Sequence, residues 1–432
     1  MKVLWILNLC PPAVAGKLGK ECGVKEGWVS GILERMTQEA PCSQMNRPEL
    51  GLAFPVGEGE EEVSLTLEIG NARIACFGFR ENSARPERYE EAGLMKRFRE
   101  IFDAFQPELL HLFGTEYGHC LAAVKAFNRP KRVLIGLQGI ISECAEEYLA
   151  DLPAKAVRRT TLRDWIRQDS ILRQQRKFAR RGEWEKQALL YCANVTGRTS
   201  FDRRAAIGMN PHAVYYFMNE TLRKEFYEGE WSRQTCIPYR IFVSQADYPL
   251  KGFHYLLEAV GRIREEYPGV TVAVAGNSLV EDKTMKDRLK RSGYGAYLLQ
   301  RMEELGLKEH IVFLGKLTGH RMKEEYLKCH TYVCCSSLEN SPNSMGEAMC
   351  LGVPVVASDT GGIPSMIRHQ EEGLLFPKGN SIALAKAILR LWKDDNLSVT
   401  LGQAARKRAL KTHDGETNYK RLLEIYTEIM KE

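Results

Sequence analysis

An α/β fold built as two doubly wound parallel-sheet units is what this sequence predicts, on three observations. The chain has 432 residues, more than one hydrophobic core ordinarily supports, so two domains are expected. Short apolar runs of strand length alternate with longer segments of helical spacing, the pattern of βα units wound on both faces of a parallel sheet. The same alternation then restarts after a charged, irregular stretch over residues 228–240.

The elements follow in order. Residues 1–10 are apolar enough to open a signal peptide, but Lys17, Lys20, Glu21 and Lys25 follow in place of a small-residue cleavage site. A first buried strand over 3–9 is therefore expected. Gly16, Gly19, Gly23 and Gly27 lead into a helix over 28–36, and 63–67 with 74–78 reads as a strand pair. A helix over 91–105 precedes short strands at 109–112, 133–137 and 194–196. The second half reads as strand 241–244, helix 253–266, strand 270–275, helix 297–305, strand 311–314, then strands 332–335 and 353–357. Helical spacing returns over 406–431, and the domain boundary is placed near residue 235, giving units 1–235 and 236–414.

Composition narrows the class. Hydrophobic residues make up 44% and charged residues 27%, as in soluble globular proteins. No apolar stretch approaches the roughly twenty residues of a membrane-crossing helix. The twelve cysteines form no Cys-x-x-Cys pair or zinc spacing, which reads as free, mostly buried thiols in a reducing cytoplasm. Between Lys155 and Lys186 stand eleven Lys or Arg and four Asp or Glu, so this stretch carries +7 against +6 for the whole chain. Apolar residues interleave there, which suits either a helix lying on an anionic membrane surface or a solvated charged face. No nucleic-acid-binding module accompanies the charge, so no nucleic-acid partner is expected.

The most informative segment is Ser336-Ser337-Leu338-Glu339-Asn340-Ser341-Pro342-Asn343-Ser344-Met345-Gly346-Glu347. It reads as a strand end, a small-residue loop and a helix start, the place where open α/β sheets bind ligands and where helix amides receive anions. On spacing alone Ser344 and Glu347 also suit a capping box. The segment resembles the E-x7-E stretch of the large family of retaining glycosyltransferases with the GT-B fold, of the bacterial polysaccharide and glycoconjugate type. The likeness continues through Glu347-Ala348-Met349-Cys350-Leu351-Gly352-Val353-Pro354-Val355-Val356.

The resemblance implies two Rossmann-like domains facing a cleft, with the last helix, about residues 415–432, crossing back to the first domain. It implies that Glu339 sits by the transferred sugar, that the Asn343, Ser344 and Met345 amides hold sugar and phosphate, and that Glu347 binds the ribose. Lys251, in a Lys-Gly pair before a helix, would meet the donor diphosphate as a point charge. Gln245 stands where the family commonly has an arginine, which shifts more of the phosphate role onto Lys251 or onto another base such as Arg198, at a strand end with Thr199 and Asp202 at capping spacing. Gly27 would approach the donor phosphate. Gln138 stands at a strand end where many relatives have a histidine, as a neutral sugar contact, and His111 reads as a half-buried strand residue. Gly361-Gly362 forms a tight loop, as in the family.

The resemblance implies no metal and no cofactor, the nucleotide sugar being a substrate whose UDP or GDP type stays open. The function expected is transfer of a sugar from a nucleoside-diphosphate donor to a saccharide or lipid-linked acceptor hydroxyl, in the cytoplasm, either free or peripheral at the inner face of the membrane. The alternatives are a nucleotide-sugar epimerase of the same architecture and a non-catalytic sugar-nucleotide-binding subunit.

Overall fold

The computed structural model describes residues 1–19, 27–38, 47–57, 59–82, 85–280 and 284–431. The chain divides into two compact units: Met1–Glu143 with Lys177–Arg223 and His413–Glu432, and Cys144–Arg176 with Lys224–Thr412. The division differs from a single cut near 235. It falls at 223, and residues 144–176 belong to the second unit because their buried polar groups are satisfied there. His254 Nε2 and the Tyr255 hydroxyl both hydrogen-bond the Ala150 carbonyl, at 2.8 and 2.6 Å.

In the first unit the strands are β1 (Lys2–Leu7), β2 (Glu49–Val56), β3 (Ser64–Ile69), β4 (Ala72–Arg80), β5 (Leu109–Phe113), β6 (Val133–Gly136), β7 (Asn194–Gly197) and β8 (Val214–Phe217). Their order is β3-β4-β2-β1-β5-β6-β7-β8. All pairs are parallel except β3 with β4. Alternation along β1 serves both faces, as the period of two requires. Leu4 and Ile6 join Phe98, Ile101 and Phe102 of the helix Glu91–Phe105 in one core layer. Val3, Trp5 and Leu7 join Leu33 of the helix Gly27–Thr37 and Leu422 and Tyr426 of the helix Gly415–Lys431 in the other. Strands β2 and β8 were not legible in the sequence. The first contains Gly51 and Pro55, residues that depress strand propensity, and the second is four residues long.

In the second unit β9 (Arg240–Val243), β10 (Thr271–Ala275), β11 (Ile311–Gly315), β12 (Thr331–Cys334), β13 (Val355–Asp359) and β14 (Leu374–Pro377) form one sheet. Its order is β11-β10-β9-β12-β13-β14, every pair parallel. This is the mononucleotide-binding order, reversing direction once, between β9 and β12. Strand β14 was unforeseen because its four residues end in a proline.

The basic stretch 155–186 is not one charged helix. It is divided among the helices Ala154–Val157, Leu162–Arg167 and Ile171–Leu190. The last of these turns much of its charge inward: Arg181 is buried and donates to the Glu116 carbonyl at 3.3 Å, Lys177 pairs with Glu87 at 2.9 Å, and Glu185 is buried.

Candidate functional site

Two strand ends flank the reversal in the second sheet, and each delivers one charged side chain. After β9 the chain makes a single 3-10 turn, Pro249–Lys251, stopped by Gly252. A side chain at Gly252 is excluded twice: φ is +64°, and a Cβ would stand 1.9 Å from the Cys335 carbonyl oxygen. That close approach locks the β9 loop to the β12 loop, helped by the Ser337 amide bonding the Leu250 carbonyl at 2.8 Å. The lock places Lys251 Nζ 2.6 Å from Glu339 Oε1. Ser336 Oγ donates to the same oxygen at 2.7 Å. Burial opposes the charge on Lys251, but the Glu339 carboxylate and the neighbouring Tyr248 together hold the lysine well above its ordinary pKa. On the far side of Glu339, Gly361 has φ +54° and a Cβ there would meet the Glu339 carbonyl at 2.1 Å. The Gly362 amide donates to that carbonyl at 2.9 Å, so the expected tight glycine loop buttresses the backbone of Glu339.

The helix Asn343–Cys350 starts just beyond. Its N-cap is Pro342, with no side-chain cap, so the capping box suggested by Ser344 and Glu347 does not form. Instead Ser344 Oγ accepts from the Tyr332 hydroxyl of β12 at 2.9 Å, and that hydroxyl lies 3.1 Å from Ser244 Oγ at the end of β9, next to Gln245. Glu347 is 6% exposed and accepts from the Tyr326 hydroxyl at 3.2 Å, which also reaches the Ser344 carbonyl at 2.8 Å. Helix-start amides have no partner within the helix; the Met345 amide is occupied by the Pro342 carbonyl at 2.9 Å. Tyr326, Tyr332 and Ser244 escaped sequence reasoning: Tyr332 lies in an apolar run and reads only as core, while Tyr326 and Ser244 lie in separate segments with no motif of their own.

In the first unit Gln138 and Arg198 meet, through a residue the sequence did not single out. Gln138 Nε2 donates to Glu220 Oε1 at 2.6 Å, and Arg198 Nη1 pairs with Glu220 Oε2. The guanidinium is buried and belongs to the unit opposite Lys251 in the division. Arg198, expected as another base for the phosphate in place of the arginine missing at 245, is thus ion-paired with the partly buried Glu220. Thr199 does cap its helix with Asp202, in the spacing foreseen. His111 is fully rather than half buried, and burial pushes its pKa down to about 3. Its Nδ1 faces the Tyr426 hydroxyl at 2.7 Å, which in turn accepts the Trp5 indole N–H at 2.8 Å. Gly27 is the first residue of its helix, while residues 20–26 of the preceding loop lie outside the described residues.

A second carboxylate site went unforeseen. Glu116, beyond the end of β5, accepts from Asn8 Nδ2 beyond β1 at 2.6 Å and from the Gly139 amide beyond β6 at 3.1 Å. Burial raises its pKa. The pair spans the reversal among the parallel strands of the first sheet, between β1 and β5.

Residues 233–408 match the family model described as Glycosyl transferases group 1. Similar curated proteins include the putative glycosyltransferase YtcC of Bacillus subtilis, 28% identical over 185 residues, 42% of this chain and 43% of that protein. Another is the phosphatidyl-myo-inositol mannosyltransferase of Mycobacterium leprae, 29% identical over 188 residues, 43% of this chain and 45% of that protein. The match thus spans less than half the length of these relatives. Among solved structures, sucrose-phosphate synthase from Thermosynechococcus elongatus aligns over 100% of this chain and 99% of its own, at a TM-score of 0.67 and 15% identity. HepE of Anabaena in complex with UDP and glucose aligns over 99% of both chains, at 0.63 and 17%. At these identities the likeness is one of fold, and the fold is GT-B.

Proposed function

We propose that this chain is a retaining glycosyltransferase that moves a sugar from a nucleoside diphosphate to a hydroxyl of a saccharide or lipid-linked acceptor, in polysaccharide or glycoconjugate biosynthesis. The observation that carries the reading is the Lys251–Glu339 pair at the β9/β12 reversal. The ammonium meets the diphosphate and stabilises the negative charge that grows on the leaving oxygen. Glu339 accepts from a sugar hydroxyl and faces the positive charge developing at the anomeric carbon. The bond from that carbon to the phosphate oxygen breaks, the bond to the acceptor oxygen forms on the same face, and the acceptor proton passes to the leaving diphosphate. The start of the helix Asn343–Cys350 faces the phosphates, and Glu347 takes the ribose hydroxyls. Lys251 and the helix dipole supply the countercharge, so the reading needs no metal.

Support for a nucleotide-sugar donor comes from HepE, whose structures hold UDP and UDP-glucose. The described cysteines are free, in keeping with a reducing cytoplasm. The test is a thermal-shift panel of UDP-, GDP- and ADP-sugars, since a bound donor raises stability with the logarithm of its concentration. It is followed by product analysis with a simple glycoside acceptor. Donor-dependent glycoside with the donor's anomeric configuration is expected. Inverted product overturns the retaining mechanism, and interconversion of donor sugars without transfer turns the reading into an epimerase.

A further inference from the structure

The second unit exposes an apolar surface that its own packing leaves uncovered. On the helix Leu162–Arg167, Leu162, Trp165 and Ile166 are 59, 62 and 61% exposed. Their i, i+3, i+4 spacing puts them on one face. Beside it lies the helix Met285–Lys290, in which Met285 and Leu289, one turn apart, are 74 and 57% exposed. Monomeric proteins seldom leave such side chains contiguous in water.

These side chains are held outward. Asp164 is fully buried, closes a capping box with Thr161 and accepts the Gly293 amide at 2.7 Å. Thr161 Oγ1 donates to the Arg291 carbonyl at 2.9 Å, tying the two short helices together. With its polar side anchored beneath, the helix Leu162–Arg167 cannot roll its tryptophan inward without breaking a buried carboxylate network.

The rim around the patch is cationic. Residues 155–169 carry five Lys or Arg against two Asp, and residues 284–291 carry four against one, so each stretch is +3. Two of those acids, Asp164 and Asp169, are consumed by Arg163 at 3.0 and 2.9 Å, and the third, Asp287, closes a capping box with the N-cap Thr284. Arg158, Arg167 and Lys290 are exposed. Tryptophan and aliphatic side chains encircled by basic ones form the chemistry that inserts into the headgroup boundary of an anionic bilayer.

We propose that the paired helices Leu162–Arg167 and Met285–Lys290 are a monotopic docking surface for an anionic lipid bilayer. The consequence rests on the glycosyltransferase reading: a docked enzyme meets a lipid-linked acceptor at the membrane. The coupling is visible in the fold. His254, three residues past Lys251, lies 3.1 Å from the Tyr294 hydroxyl and 2.8 Å from the Ala150 carbonyl. Tyr294 directly follows Gly293, whose amide holds Asp164. The donor loop and the docking surface are thus fixed to one another within the unit.

The test is flotation of the full chain with vesicles of phosphatidylcholine alone or mixed with phosphatidylglycerol, at low and high salt. Binding is expected only to the mixed vesicles and should weaken with salt, since screening shortens the reach of the basic rim. Trp165→Ser with Ile166→Ser should lower bound protein about tenfold or more, and Arg158→Ser with Arg167→Ser and Lys290→Ser should do so at low salt. Arg180→Ser, on the adjoining long helix, should leave binding unchanged. Donor-induced thermal stabilisation in every variant verifies the fold and reads donor binding separately, so a failed docking surface and a failed glycosyltransferase reading are distinguishable. Absence of binding to mixed vesicles at low salt overturns the proposal. So does binding that survives the Trp165 and Ile166 changes, or self-association of the wild-type chain that those changes abolish.

Discussion

Among its parallel strands each sheet reverses its winding once, and the two reversals are furnished differently. Between β1 and β5 the bridge is an amide to a carboxyl, Asn8 to Glu116, in surroundings that favour the protonated acid. Between β9 and β12 it is an ammonium to a carboxylate, Lys251 to Glu339. One topology thus yields a site whose bridge is a neutral amide and a site whose bridge is an ammonium. The comparison teaches that the winding fixes where a ligand sits, and that the two loop residues at the reversal decide its chemistry.

The largest effect should come from removing the charge that separates the two sites. Lys251→Ala is expected to lower turnover about a hundredfold or more, the range for losing one electrostatic stabiliser. Measured as diphosphate release at saturating donor, it should exceed the effect of Asn8→Ala at the other reversal. Equal losses would break the comparison, because the second site would then owe nothing special to its lysine.

A shift in pH acts on both units. Burial lowers the pKa of His254 from 6.5 to about 4 and that of His111 from 6.5 to about 3. In each case the unfolded chain takes up the proton first, so the unfolded state is favoured as pH falls below about 6.5. The stability that neutral His254 contributes is present above that pH and lost on descending through pH 4. It amounts to about 3 kcal/mol over the window. Urea titrations from pH 7 to 4 should show the decline, and His254→Gln should make it shallower. An unchanged slope would mean that His254 charges freely and does not lock the donor loop.

Glu347→Gln keeps volume and removes charge. Nucleotide affinity should weaken by about 1–3 kcal/mol, the cost of losing a hydrogen bond to a charged group. Pro342 is the N-cap and Ser344 is engaged with Tyr332, so no capping role competes with this reading; a purely structural role for Glu347 predicts unchanged affinity in calorimetry. That result would remove Glu347 from the donor site.

The second reversal was legible because its charges sit in unbroken local strings. Lys251 precedes a glycine that only its conformation tolerates, and Glu339 and Glu347 bracket one loop. The helix 253–266 was foreseen to the residue. The first reversal was not legible, because Asn8, Glu116 and Gly139 are distant in sequence and meet only through the register of β1, β5 and β6. Glu220 escaped for the same reason, and its neutralisation of Arg198 was invisible with it. The division departs from a single boundary near 235 because residues 144–176 look like ordinary first-half chain. Their allegiance is set by His254 and Gly293, more than a hundred residues away.

The smallest effect should fall on Glu116, and it sharpens the contrast most. Its two oxygens receive two donors, Asn8 Nδ2 and the Gly139 amide. Either protonation state leaves lone pairs for both, so the site does not demand a charge. Glu116→Gln replaces one acceptor by an NH2 group, which sets donor against donor at one of these contacts. The strand ends must then shift; on the proposal that the first reversal holds the acceptor and the second unit the donor, only the acceptor loses alignment. The expected result is a rise in the acceptor KM of about tenfold, one hydrogen bond's worth, with donor affinity unchanged. Asn8→Asp with Glu116→Gln restores the complementary pair with its polarity exchanged and should recover part of the loss. If donor affinity falls along with acceptor KM in Glu116→Gln, the two reversals do not divide donor from acceptor, and the contrast in their furnishing has another origin.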